Sequence, residues 1–152
     1  MECILRVSAG DFDVDRFVSR YPALRPYAVW HAGEPTFRKR KHSDSGFILV
    51  IGEAQVWSDL WKRAVRAMAK LRPVLAGARR AGAEMNLDFA LFVGSVPFTS
   101  SALFSASDLT FLAKLGVSLA VSAYPVSDDA DDSNGGRRRP SATARKQKVQ
   151  AT

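Results

Sequence analysis

The sequence EMNLDFALFV, residues 84–93, alternates apolar and polar side chains more regularly than any other stretch of the chain. A period of two indicates a β-strand with one buried face. Similar alternation at residues 2–8 and 117–124, with apolar runs at 27–31 and 47–51, predicts four more strands. An all-parallel sheet buried on both faces would show continuous apolar runs, so the alternation favours a mixed or mostly antiparallel five-stranded sheet.

Three helices are predicted between these strands. The longest carries one wide apolar stripe, at Trp57, Leu60, Trp61, Ala64, Val65, Met68 and Leu71. Pro73 lies within this pattern, so we expect a kink or a restart there. Shorter helices are expected after the carboxylates of residues 11–15 and after Ser105 or Ser107, with Gly116 ending the latter. The order β-α-β-β-α-β-α-β predicts an α+β two-layer sandwich with its helices on one face of the sheet.

The chain has 152 residues, enough for one domain and a tail. From Ser127 onward the composition changes to acidic, glycine-rich and then basic residues, with Val149 as the only sizeable apolar side chain. We expect residues 1–126 to form a single α+β domain and residues 127–152 to be a disordered basic tail. The net charge is +7, of which +5 lies in residues 1–126, and it makes polyanions plausible partners.

Few side chains are available for metal binding. One cysteine excludes an internal disulfide and a cysteine-rich zinc site, and two histidines leave little for a histidine-based site. Residues 11–15, Asp-Phe-Asp-Val-Asp, resemble the start of a calcium loop. Such a loop needs Gly at its sixth position and a bidentate Glu at its twelfth, where this chain has Arg16 and Pro22. Helix capping is therefore the preferred interpretation, and we expect no metal-binding residues.

Cys3, His31 and Asp88 are the only conceivable nucleophile, base and orienting group in the chain. Cys3 lies on the apolar side of its predicted strand, where burial raises the pKa of a thiol and makes it inert. The sequence contains no glycine-rich phosphate loop and no nucleophile elbow. We therefore expect no catalytic or cofactor-binding residues, no cofactor and no enzymatic activity.

Two basic clusters suggest contacts with polyanions. The first is residues 38–42, Arg-Lys-Arg-Lys-His, beside Phe37 in a polar connection. The second, in the tail, comprises Arg137, Arg138, Arg139, Arg145, Lys146 and Lys148. An aromatic ring beside several cations suits single-stranded nucleic acid, although one ring is too few to be specific. Accessory nucleic-acid binding by the 38–42 loop and the tail is therefore the alternative function.

No stretch of the sequence approaches the ~20 apolar residues that span a bilayer. The first six residues, Met-Glu-Cys-Ile-Leu-Arg, have neither the basic nor the apolar region of a secretory signal. We expect a cytoplasmic protein that does not contact a membrane.

Several short segments together carry a resemblance to a known family: residues 3–6, 11–15, 29–35, 45–47, 87–89, 115–117 and 122–125. Their order and spacing resemble a family of small uncharacterised bacterial proteins that share a domain of unknown function. Some relatives are similar to immunity proteins of bacterial toxin systems, which act by covering a toxin. The resemblance covers roughly residues 1–125 and implies a compact α+β domain with no established catalytic residues.

Together, residues and resemblance predict a non-enzymatic bacterial binding protein. Its expected partner is a protein, and the resemblance implies an immunity-like inhibitor of a cognate toxin. The candidate partner-binding residues lie at the end of the second predicted strand and in the connection after it: Trp30, His31, Glu34, Phe37, Arg38, Lys39, Arg40 and Lys41. The oligomeric state is left open.

Overall fold

The computed structural model describes residues 1–36, 39–93 and 101–125. They form nine elements in the order β1 (Glu2–Ala9), α1 (Val14–Ser19), β2 (Ala28–Trp30), β3 (Ser45–Glu53), α2 (Trp57–Lys70), α3 (Arg72–Arg80), β4 (Glu84–Val93), α4 (Ala106–Leu115) and β5 (Ser118–Pro125). The predicted α+β class with a five-stranded mixed sheet is confirmed. The predicted tail, residues 127–152, lies outside the described residues, so the domain boundary stays a prediction.

The five strands form one sheet in the order β2-β3-β1-β4-β5. Neighbouring strands are antiparallel, except that β5 runs parallel to β4. A parallel pair needs a crossover connection, and α4 supplies its helix. In the register, Glu2 of β1 lies opposite Ala90 of β4, and Pro125 of β5 lies opposite Val93 of β4. The start of β1 and the ends of β4 and β5 therefore share one end of the sheet.

One hydrophobic core lies between the sheet and the helices. The strands contribute side chains from alternate positions and all four helices contribute apolar positions, so the helices cover a single face of the sheet. The most deeply buried side chains are Phe47, Phe89, Leu5, Leu60, Met68, Leu75, Leu87, Val7, Val14 and Cys3. Of the seven side chains predicted to form the long stripe, three are fully buried, Leu60, Ala64 and Met68, and four are partly buried, Trp57, Trp61, Val65 and Leu71.

The predicted long helix restarts rather than kinks, which gives four helices instead of three. Leu71 is both the C-cap of α2 and the N-cap of α3, and Pro73 lies in the first turn of α3. A proline is tolerated there because the first N–H groups of a helix have no intrahelical acceptor. Gly82 follows the helix with a φ of 71°, as a helix stop requires.

The boundaries of α4 follow from two single residues. Ser105 is the N-cap, and its side chain and that of Asp108 form a capping box. Gly116 ends the helix in the left-handed conformation with a φ of 71°. On α4, Leu109 is exposed, whereas Leu112 is buried and Phe111 packs against the core.

Candidate functional site

The face of the sheet opposite the helices is open and partly apolar. No described helix covers it. Its side chains come from the positions that alternate with the core: Glu2, Ile4, Arg6, Ile48, Val50, Asn86, Asp88, Ala90, Phe92, Ser122 and Tyr124. Isoleucine, valine, phenylalanine and tyrosine at such positions leave apolar surface next to water. We call this side of the sheet the open face.

A shallow groove of about 290 Å³ lies on the open face. Its lining comprises Glu2, Ile4, Tyr27, Ile48, Asp88, Ala90, Phe92 and Tyr124, and we call it the sheet groove. All three aromatic side chains of this lining are exposed: Tyr27 is 74% exposed, Phe92 55% and Tyr124 49%. The Phe92 and Tyr124 ring centroids lie 6.0 Å apart, because β4 and β5 place the two residues side by side. The groove therefore combines aromatic surface with two carboxylates.

One of these carboxylates is held in place by the neighbouring strand. The Ser122 hydroxyl lies 2.9 Å from Asp88 Oδ1 and 3.1 Å from Oδ2, and it donates to the carboxylate. Asp88 lies opposite Ala120 in the register, so the bond crosses diagonally between β4 and β5. This contact fixes the direction in which the negative charge faces the groove.

The other end of the open face is closed by Trp30. Its indole lies over Gly46, where an added Cβ would stand 2.5 Å from the ring, and Trp30 itself is buried. The indole nitrogen donates to Asp44 Oδ1 at 3.0 Å, and the Arg6 guanidinium lies 4.6 Å from the ring centroid. Arg6 also donates to Asp44 Oδ2 at 3.3 Å. Trp30, which was predicted to bind a partner, thus makes its contacts with residues of this chain.

The Asp44 carboxylate carries a lowered pKa as a result. Its partial burial raises the pKa, but hydrogen bonds from Trp30 and Ser8 and the positive charge of Arg6 outweigh that effect. Asp44 is therefore ionised at neutral pH and anchors both the indole and the guanidinium.

His31 and Glu34 lie toward the helix layer, away from Trp30. The His31 ring nitrogens lie 2.9 Å from Asp15 Oδ2 of α1 and 3.1 Å from Glu34 Oε1. The backbone N–H of His31 also donates to Glu34 Oε2 at 2.8 Å. The hydrogen bond with Asp15, followed by that with Glu34, raises the pKa of His31. The His31 backbone and side-chain bonds lower the pKa of Glu34. This group joins the β2–β3 connection to α1.

The β2–β3 connection folds back on itself as a hairpin. The Gly33 N–H donates to the His42 carbonyl and the His42 N–H to the Glu34 carbonyl, both at 2.8 Å. Arg40 and Lys41 line a second groove of about 430 Å³ together with Arg6, Thr36, His42, Ser43 and Asp44, and we call it the basic groove. Lys39 is exposed at the turn with a φ of 61°. Phe37 and Arg38 lie outside the described residues.

The six predicted partner-binding residues that the structure describes are therefore not gathered into one patch. Trp30 lies on the open face and the side chains of Arg40 and Lys41 reach the basic groove beside it. His31 and Glu34 face α1.

The Cys3, His31 and Asp88 side chains do not form a relay. Cys3 faces the core, and burial, aided by the charges of Asp88 and Glu2, raises the pKa of its thiol to about 12. Asp88 faces the opposite side of the sheet. Both ring nitrogens of His31 are taken by Asp15 and Glu34. A thiol with such a pKa is uncharged at physiological pH.

Within residues 1–36, 39–93 and 101–125, no three or more His, Cys, Asp or Glu side chains are grouped to hold a metal ion. The helices in the same ranges are all too short or too polar to cross a membrane.

The sheet groove was missed by sequence reasoning, although its signal is visible. Ile4, Ala90, Phe92 and Tyr124 occupy strand positions where strict alternation calls for polar side chains. Each one alone is unremarkable, since single apolar residues are common on protein surfaces. Only the sheet order brings the four together.

No family model, curated protein or solved structure matches the chain.

Proposed function

We propose that this chain is a non-enzymatic protein that binds another protein on the open face of its sheet. The observation that supports this most directly is the sheet groove, where Tyr27, Phe92 and Tyr124 are exposed around an apolar floor. Contiguous exposed apolar surface is characteristic of interaction sites. Aromatic side chains are enriched at interface centres because they bury a large area at small entropic cost.

The groove also limits the chemistry of the partner. Glu2 and Asp88 lie in its lining, and Ser122 holds the Asp88 carboxylate in place. A partner that inserts an apolar side chain between Phe92 and Tyr124 and brings a basic group to these carboxylates fits both features. Carboxylates desolvated without such a partner would oppose binding.

Function by binding agrees with the state of the only thiol. Cys3 is fully buried in the core, and burial is the main cause that raises its pKa to about 12. A group of this kind contributes to packing rather than to nucleophilic attack. The resemblance to bacterial immunity proteins adds a partner class, a toxin, whose inhibition by steric cover needs no catalytic residue. A bacterial protein acting in the cytoplasm is part of this proposal.

A double variant, Phe92→Ser with Tyr124→Ser, tests the groove. A single cross-linked partner should be identified from bacterial cells, purified, and its affinity for each variant measured by calorimetry. We expect the double variant to bind about tenfold more weakly or worse, as loss of interface aromatics does. Val56→Ser removes an exposed apolar side chain outside the groove and should bind as the wild type does. Equal affinities of the double variant and the wild type would contradict the proposal.

The basic groove favours a second candidate function, accessory binding of nucleic acid. Arg6, Arg40 and Lys41 line it together. Fluorescence anisotropy with a labelled single-stranded oligonucleotide tests this, because phosphate contacts weaken steeply with salt. Arg40→Ala with Lys41→Ala should weaken binding and reduce the salt dependence, whereas Lys62→Ala on α2 should not. Binding that is indifferent to salt or to the double substitution would rule out this candidate.

A further inference from the structure

The strand β5 is an edge of the sheet that the described residues form. It forms one end of the sheet order, and no described strand pairs with its outer side. All eight residues, Ser118–Pro125, are uncharged, and its only proline is the last residue. The free N–H and C=O groups of an exposed edge can pair with a strand of another molecule. Natural sheets usually prevent this with charged residues, prolines, bulges or a short edge strand.

The opposite edge of the sheet shows such protection. The strand β2 has only three residues, Ala28–Trp30, and Pro26 lies two positions before it. The length and composition of β5 therefore set it apart within the same sheet.

We propose that β5 pairs antiparallel with β5 of a second copy of this chain across a two-fold axis, so that the two sheets join into one of ten strands. Such isologous pairing is closed by symmetry and leaves no further free edge at β5. The proposal rests on the outer edge of β5 and not on the sheet groove, although Tyr124 belongs to both.

The pleat of the strand fixes the register of this pairing. Residues directly opposite each other in an antiparallel pair point to the same face of the sheet. One residue of β5 must therefore lie directly opposite its own copy, with the two-fold axis between them. Centring on Val121 pairs seven residues, 118–124, and leaves Pro125 outside the ladder. Centring on Ser122 would place Pro125, which has no N–H, opposite Leu119.

The side chains favour a second copy over an unrelated strand. With Val121 at the centre, Leu119 lies opposite Ala123 and Tyr124 opposite Ser118, so the two largest side chains of β5 each meet a small one. Val121 is 46% exposed on the helix side of the sheet and would meet its own counterpart. With no charged side chain on β5, identical strands meet without like-charge repulsion at the contact.

Measuring the mass of the full chain in solution, by light scattering across micromolar concentrations, is the first test. We expect a dimer. Val121→Lys places a charge at the axis and should give a monomer, while Val29→Lys on β2, 43% exposed in the wild type, should leave the dimer intact. A wild-type monomer throughout this range would overturn the proposal, as would a Val121→Lys dimer.

A cross-link keeps the proposal testable if Val121→Lys fails to fold. Opposed residues in an antiparallel pair have Cα atoms about 4.5–5.5 Å apart, within the range that disulfides bridge. Val121→Cys should form a covalent dimer with oxidised glutathione as the oxidant, since Cys3 is buried and does not compete. Ser122→Cys should not, because its counterpart is offset by two residues. A cross-link of Ser122→Cys, or of neither variant, would overturn the proposed register.

Discussion

The Trp61 indole nitrogen donates a hydrogen bond of 3.0 Å to Asp108 Oδ1, which joins the middle of α2 to the first turn of α4. The other oxygen of this carboxylate accepts from the Ser105 backbone N–H at 2.9 Å and from the Ser105 hydroxyl at 2.7 Å. The Asp108 side chain thus completes the cap of α4 and holds the Trp61 ring in place at the edge of the core. The two Ser105 bonds are the main causes that lower the pKa of Asp108; burial opposes them, and the Trp61 bond adds a smaller lowering.

We expect Asp108→Asn to lower the melting temperature at pH 7, because the amide cannot replace both accepting oxygens. The pKa of Asp108 is lowered by folding, so its contribution is present above the unfolded pKa of about 3.9. It is lost as the pH falls through the lower folded value. Thermal melts from pH 7 down to acid should therefore show the variant converging on the wild type. Asp59→Asn, at the exposed pair with Lys62, should show no comparable loss.

Trp61→Ala should lower the free energy of unfolding by about 3 kcal/mol, the low end of the range for large-to-small core changes, because Trp61 is only partly buried. The ring packs 5.2 Å from Phe104 and 5.9 Å from Phe89, between centroids. Lys62→Ala, on the exposed side of the same helix, should change it by less than about 0.5 kcal/mol. Urea titration measures both, and equal effects would show that the faces of α2 are assigned wrongly.

Gly46→Ala should destabilise the fold by at least about 1–3 kcal/mol, the usual range for overpacking. A Cβ at this position would meet the Val7 carbonyl oxygen, the Trp30 ring and Ser8, and a backbone atom cannot move aside cheaply. Gly10→Ala is the matched control, because nothing lies within 4 Å of its added Cβ. Denaturant titration that ranks the two variants equally would contradict the close contact between Trp30 and Gly46.

The NMR titration of His31 should give a pKa above its usual 6.5, and Asp15→Asn should bring it down. Because folding raises this pKa, the ion pair stabilises the protein below the unfolded value. That contribution is lost as the pH rises through the folded pKa. The stability difference between wild type and Asp15→Asn should therefore be larger near pH 6 than in alkali. If this stability difference did not change with pH, the two carboxylates would not be stabilising the charged form of His31.

Truncation after Val126 should leave the melting temperature unchanged within error. This prediction rests on the composition of residues 127–152, which offers too little apolar area to offset the entropy of ordering. Differential scanning calorimetry of the full and truncated chains tests it. A drop of several degrees would place the domain boundary later in the chain.

Features fixed by neighbouring residues were predictable from the sequence. Alternation over ten residues predicted β4. The choice of Ser105 or Ser107 as N-cap and Gly116 as the stop predicted the two ends of α4, and the structure has Ser105 as the cap. Pro73 signalled the break in the long helix, but only packing decides between a kink and two helices. The parallel pairing of β5 with β4 depends on where the chain returns after α4, which no local pattern contains.

The site was less predictable because its members are distant in sequence. Trp30 and His31 are neighbours in the chain, yet the strand pleat sends one to the open face and the other toward α1. Ile4, Phe92 and Tyr124 come from three strands and meet only through the sheet order. Short-range patterns identify which residue types are present, whereas the long-range strand pairing decides which of them share a surface.

The strand directions bring the start of β1 and the end of β5 together at the sheet groove. Glu2, near the first residue, and Tyr124, next to the last described residue, both line it, because β1 enters at the end of the sheet where β5 leaves. Any segment attached at either point is tethered beside the groove, and a short flexible tether produces effective concentrations in the millimolar range. A purification tag or fused domain with affinity for apolar or acidic surface would therefore compete with a partner for the groove when it is attached at either point, so binding measurements depend on the choice of fusion point.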